Sequence, residues 1–252
     1  MQHLHGLEVD PADGVLYAAT HSGLWRIPES GEPSRVADGH QDLVGFAVTG
    51  PGAFLASGHP DLRHDPELPT WLGLVRSTDA GGTWRSVSLS GEADLHVLRA
   101  AHGRIYGWDA GSGRLLVSAD EGLSWEERGT VPLRDLVVSP ADPAALLATS
   151  EQELMRSADG GRTWAPMPGS PSLTVTAWPT TGSLYGVTPD GTVLHSADAG
   201  ATWQPRGQVA GEVEALSVQA VDGTEVVYVG LAGGGILVSG DGASTFAVRY
   251  AA

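Results

Sequence analysis

An eight-residue phrase, Ser-x-Asp-x-Gly-x-Thr-Trp, returns along this chain at a near-constant interval. It reads STDAGGTW over 77–84, SADEGLSW over 118–125, SADGGRTW over 157–164 and SADAGATW over 196–203, and a worn copy, SGDGASTF, occupies 239–246. Successive copies start 41, 39, 39 and 43 residues apart. A period of this size means that each repeat is one supersecondary unit, unable to bury its apolar face except against its neighbours. The phrase itself spells a hairpin turn. Asp79, Asp120, Asp159, Asp198 and Asp241 can fold their carboxylates back onto nearby backbone N–H groups, and the glycine after next accepts positive φ. The Ser and Thr hydroxyls add local hydrogen bonds, and the closing Trp supplies a large apolar plate to the next strand.

Three strands precede each phrase and one follows it. Before Asp120 lie HVLRA (96–100), RIYGW (104–108) and GRLLVS (113–118), and the other periods repeat the pattern. Four antiparallel strands per period make a propeller blade. The residues before Ser77 supply two more. Blade one has a degraded phrase over 27–34 that keeps only Glu29 and Gly31 in place, and blade two carries an insertion, HPDLRHDPELPTW (59–71). The expectation is all-β: one six-bladed β-propeller with four-stranded antiparallel blades, at about 1–38, 39–90, 91–130, 131–169, 170–209 and 210–252. The 35 glycines and 16 prolines suit many short strands joined by turns.

The phrase resembles the Asp box, or BNR repeat, of sialidases, sortilin-type receptors and photosystem assembly factors. That resemblance implies that the five aspartates are structural turn residues, away from the ligand face. The segments HLHGLEVDP, ATHSGLWR, GFAVTGPGAFLASGHPDLR and SLSGEADLHVLR also resemble bacterial secreted or lipoprotein-type Asp-box proteins labelled glycosyl hydrolases. This second likeness implies an extracytoplasmic protein whose leader is missing. Trp25-Arg26-Ile27-Pro28 is similar to the carboxylate-gripping arginine motif of sialidases, but the register makes Arg26 the equivalent of Arg76 and Arg156, a repeat position.

Composition narrows the partners. Net charge is −16, there is no lysine, and no basic run exists, which argues against nucleic acid or an anionic membrane surface. The absence of cysteine removes disulfides, thiolate metal sites and cysteine nucleophiles, and leaves the compartment open. No apolar run is long enough to span a bilayer. The chain opens on a strand-like segment, MQHLHGLEV, without a signal-peptide pattern, which fits either the cytoplasm or a trimmed leader. No GxSxG, HExxH or phosphate-binding glycine loop occurs, so no nucleotide or organic cofactor is expected.

Function should lie where the repeat is broken, on the face opposite the phrase. At the start of the inner strand the six blades carry His5, Val44, His96, Arg134, Thr174 and Glu214. Just after the second strand they carry His21, His59, Ala110, Glu151, Pro189 and Ala232. His3 and Glu212 each stand two residues earlier on the inner strand, and so on the same face as His5 and Glu214. Blades one to three thus gather His3, His5, His21, His59 and His96 at one rim of the expected channel mouth. Imidazoles gathered without thiolates suit Zn²⁺ or Cu²⁺, with carboxylates as further ligands or outer partners. The alternative is glycoside hydrolysis, which needs two carboxyl groups about 5–5.5 Å apart for retention or about 6.5–9.5 Å for inversion. Glu212 and Glu214 are its candidates, with Glu151, Asp109, Asp94 and Asp42 also at the rim and Arg134 able to tune them. A third expectation is a scaffold for a protein partner, using the 59–71 insertion. By position His102 and His195 are structural, while His40 and His64 lie on peripheral loops.

Overall fold

The computed structural model describes residues 1, 3–64, 66–221 and 223–252. Among them every regular element is a β-strand; there is no helix, hence none long and apolar enough to cross a membrane. Twenty-four strands form six four-stranded antiparallel sheets, each strand paired with its neighbours in sequence. Six such blades are the make-up of a six-bladed β-propeller. The chain divides into two compact units, Met1–Glu127 and Arg128–Ala252.

Blades one to three begin in the first unit. Blade one is β1 (Leu4–Val9), β2 (Leu16–Thr20), β3 (Gly23–Ile27) and β4 (Ser34–Arg35). Blade two is β5 (Asp42–Gly50), β6 (Ala53–His59), β7 (Leu74–Ser77) and β8 (Arg85–Ser88). Blade three is β9 (Leu95–Ala101), β10 (Arg104–Asp109), β11 (Arg114–Ser118) and β12 (Glu126–Thr130). Burial falls outward across a blade: β2 is buried at every residue, whereas β8 and β12 are largely exposed. Each blade packs on the next through apolar side chains. Tyr17, Leu24, Phe46, Phe54 and Val75 join blades one and two, and Leu55, Leu74, Leu95, Leu98 and Ile105 join two and three. Phe54 is fully buried and meets Tyr17 and Phe46 edge-on, at centroid distances of 4.9 and 5.5 Å.

The second unit repeats the plan with β13 (Asp135–Val138), β14 (Leu146–Thr149), β15 (Leu154–Ser157) and β16 (Ala165–Pro166) in blade four. Blade five is β17 (Val175–Thr180), β18 (Ser183–Val187), β19 (Thr192–Ser196) and β20 (Gln204–Gln208), and blade six is β21 (Val213–Val221), β22 (Thr224–Leu231), β23 (Ile236–Ser239) and β24 (Ala247–Tyr250). Tyr185, Val187, Val213, Val227 and Val229 pack blade five on blade six.

The repeated phrase folds as one hydrogen-bonded turn in all five copies. In the first, Ser77 Oγ donates to Asp79 Oδ1 (2.7 Å) and accepts the Gly81 N–H (2.8 Å). Thr83 then donates its N–H to Asp79 Oδ1 (2.9 Å) and its hydroxyl to Asp79 Oδ2 (2.7 Å). The same bonds recur around Asp120, Asp159, Asp198 and Asp241. Hydrogen bonds to the ionised form hold these carboxyls well below the usual range, to about 2 at Asp79, Asp120 and Asp198. Blade one lacks the phrase: Ile27 takes the place of Ser77, since Leu16 pairs with Ile27 as Phe54 pairs with Ser77. Its outer strand β4 has two residues.

Candidate metal centre

The end of the first unit's blades opposite the turns is shaped by β-bulges. The extra, unpaired residue is His5 in blade one, Val44 in blade two and His96 in blade three. In the second unit Glu214 occupies the same bulge of β21. A bulge re-aims the side chain it carries, so the equivalence of His5, Val44, His96 and Glu214 seen in the repeat has a backbone cause. His21 is placed by the two-residue turn 21–22 between β2 and β3, which Thr20 pins by donating its hydroxyl to the Gly23 carbonyl (2.8 Å) and accepting the Ser22 N–H (3.0 Å). Asp42 opens β5 and His59 closes β6, and the two face each other across the ladder. Gly58 makes that approach possible: its φ is +148°, and a Cβ there would stand 1.9 Å from the Asp42 carbonyl oxygen.

Three ligand-type side chains converge. His5 Nε2 lies 3.2 Å from His21 Nδ1, His5 Nε2 is 3.2 Å from Asp42 Oδ1, and His21 Nδ1 is 2.7 Å from Asp42 Oδ2. Among the described residues these ligand atoms all lie within 4.8 Å of one another. A tetrahedral Zn²⁺ with bonds of about 2.0–2.1 Å sets neighbouring ligand atoms about 3.3 Å apart, close to the observed spacing. Asp42 Oδ1 is shielded from solvent and has no hydrogen-bond partner; His5 stands near it, but not along a hydrogen-bonding line. Burial raises the Asp42 carboxyl's proton affinity, yet the imidazoles of His5 and His21 outweigh it and bring the pKa to about 2.

Two more histidines flank this group. His59 Nδ1 is 3.5 Å from Asp42 Oδ2, and its Nε2 is 3.7 Å from Asp94 Oδ2. His96 Nε2 is 2.9 Å from Asp94 Oδ2. His3 precedes β1 with φ +53° rather than lying on the strand, so the expectation that alternation puts it on the face of His5 is corrected: the left-handed residue and the following bulge break the alternation. Its ring nonetheless comes within 5.0 Å of His21. Asp42 and Asp94 were weighed in the sequence only as hydrolytic carboxylates. A signal for them as ligands existed, because they occupy the place two residues before the bulge that His3 and Glu212 occupy in other blades.

The remaining candidates have other employments. Asp109 is buried and accepts hydrogen bonds from the N–H groups of Asp94 and Ser112 and from the Ser112 hydroxyl, so it braces the loop under Asp94. Arg26 pairs with Asp13 at 3.1 Å and takes the register position of Arg76 and Arg156, as the repeat predicts. His40 bonds Arg35 and stacks at 6.3 Å on His64, whose Nδ1 meets Asp61 at 2.8 Å. His195 contacts Ser183 and Arg206. In the second unit Glu214 is half-buried on its bulge, Glu212 is exposed just before β21, and Arg134 lies 3.8 Å from Glu151.

No family model matches the chain, and no curated protein does. Solved structures do. A GH74 xyloglucanase of Xanthomonas campestris aligns with 98% of this chain and 45% of its own at 17% identity, with a TM-score of 0.64. YCF48 bound to D1 peptide aligns over 98% and 82% at 15% identity and TM-score 0.58. A gluconolactonase of Xanthomonas campestris aligns over 90% and 82% at 14% identity and TM-score 0.71. The chain spans less than half the length of the xyloglucanase, and at these identities the likeness establishes the propeller fold alone.

Proposed function

We propose that this protein is an extracytoplasmic metal-binding β-propeller that holds Cu²⁺ or Zn²⁺ on His5, His21 and Asp42, with His3, His59 and His96 around the ion. The observation that carries the reading is the convergence of two imidazole nitrogens and one partly buried carboxylate to within 2.7–3.2 Å. Two neutral imidazoles and a carboxylate, without a thiolate, match the preferences of zinc and copper, and three protein ligands leave a coordination position open to solvent or substrate. The test is metal content by mass spectrometry on untagged protein dialysed against each ion. Bound metal that falls by one ion per chain in His21→Ala supports the reading, and metal-free protein at saturating ion ends it.

A second reading is favoured by the xyloglucanase and gluconolactonase neighbours. In it the fold is a sugar-directed hydrolase with Glu212 or Glu214 as acid/base. Turnover of a chromogenic glycoside, abolished by Glu214→Gln and indifferent to chelators, would replace the metal reading. The peptide-bound neighbour and the exposed Leu62 and Leu68 of the 59–71 insertion favour a protein partner as a third reading. Co-purification that depends on those leucines would mark it.

A further inference from the structure

His59 is suspended between two carboxylates. Its Nδ1 faces Asp42 at 3.5 Å and its Nε2 faces Asp94 at 3.7 Å, both too long for good hydrogen bonds. Beyond Asp94 stands His96 at 2.9 Å. Imidazoles and carboxylates thus alternate across three blades: His21, Asp42, His59, Asp94, His96. Among the described residues, the solvent-shielded carboxylate oxygens left without any hydrogen-bond partner are Asp42 Oδ1 and Asp94 Oδ1. Both belong to this one chain of groups. Such oxygens are rare in folded proteins, and a bound ion is one of the standard reasons for them. Asp94 is the more enclosed, with its side chain 13% exposed, and the charged-type groups within 4.0 Å of it are both imidazoles. Its backbone is anchored on both sides, N–H to Asp109 and carbonyl to the Ala110 N–H, so the carboxylate is presented by a fixed frame.

We propose that this face binds a second divalent cation between His59, Asp94 and His96, with the His59 ring bridging the two positions as an imidazolate whose N–H proton passes to solvent as the ions bind. The inference rests on the reading that His5, His21 and Asp42 hold the first ion. Each position then has its own carboxylate with an otherwise unpartnered oxygen, each has its own histidine, and the two nitrogens of His59 point one toward each. Two carboxylates flanking one imidazole offset two divalent charges better than one.

The test is Zn²⁺ stoichiometry by equilibrium dialysis and mass spectrometry on untagged wild type and on Asp94→Asn/His96→Ala. Two ions per chain in the wild type and one in the double variant are expected. One ion in the wild type, or two in the variant, would overturn the second position while leaving the first intact. No uptake by the wild type would overturn both. Cu²⁺ supplies an independent readout. At two equivalents, spin coupling through a bridging imidazolate should leave the EPR-visible copper well below the total, and His96→Ala should restore it; fully visible copper in the wild type would overturn the shared ring.

Discussion

Asp79 and Asp42 sit in the same unit, and both have carboxyls brought down to about 2, Asp79 by partners in its own turn and Asp42 by imidazoles that outweigh its burial. Asp79 is exposed, and its two oxygens are taken up by Ser77 and Thr83 in a turn that closes within one stretch of chain. Asp42 is partly buried, keeps one shielded oxygen without a partner, and is surrounded by imidazoles from three other segments. A polar group whose bonds are complete serves the fold. One held in place with bonds left over has room for a further partner. The two ends of the blades differ in just this way, satisfied at the turns and unsatisfied at the histidine rim.

The largest effect that sharpens this contrast lies at the turn end. Gly122 has φ +89°, and a Cβ there would stand 2.2 Å from Cδ2 of Leu74, itself fully buried. Gly122→Ala should cost about 2–4 kcal/mol in chemical denaturation, from overpacking and left-handed backbone together, with metal stoichiometry unchanged in the folded fraction. At the other end, Asp42→Asn should weaken Zn²⁺ or Cu²⁺ binding more than about 100-fold, or about 2.7 kcal/mol by calorimetry, while the metal-free protein loses less stability than Gly122→Ala does. An equal loss of stability in both variants would erase the distinction.

Acid should also separate the two ends. The turn carboxyls are lowered in the folded state, so their contribution is full above the unfolded value of about 3.9 and is lost as pH falls through about 2. Urea midpoints should therefore decline between about pH 4 and 2, and less steeply when Asp79 is replaced by Asn. Metal binding, which requires unprotonated imidazoles, should already be lost at milder acidity. The smallest expected effect is that of His96→Ala without metal, within about 0.5 kcal/mol by urea titration, since this side chain is 40% exposed.

The turn end was legible in the sequence because each turn is self-contained. Ser77, Asp79, Gly81 and Thr83 bond one another within one phrase, so spacing alone reveals them, and the blades follow from the period. The rim was legible only in part. Blade-to-blade comparison found His5, His21, His59 and His96, because each departs from its equivalents. It passed over Asp42 and Asp94 as members of the histidine cluster, since their partners come from distant segments and carboxylates at a rim are common. It put His3 on the strand, because neither a bulge nor a left-handed residue is visible in strand alternation, although the ring does stand beside His21. The β6–Gly58–β5 approach that brings Asp42 opposite His59 depends on one glycine's backbone angle, which no periodicity announces.

The most direct measurement of the central claim is the thermal unfolding midpoint of wild type and Asp42→Asn, with and without Zn²⁺ or Cu²⁺. An ion that binds the folded state alone stabilises it by about 2.7 kcal/mol at a hundredfold excess over its Kd. A clear rise in the wild type and a much smaller one in Asp42→Asn is the expected result. No rise in the wild type, or an equal rise in both, would contradict a metal site built on Asp42.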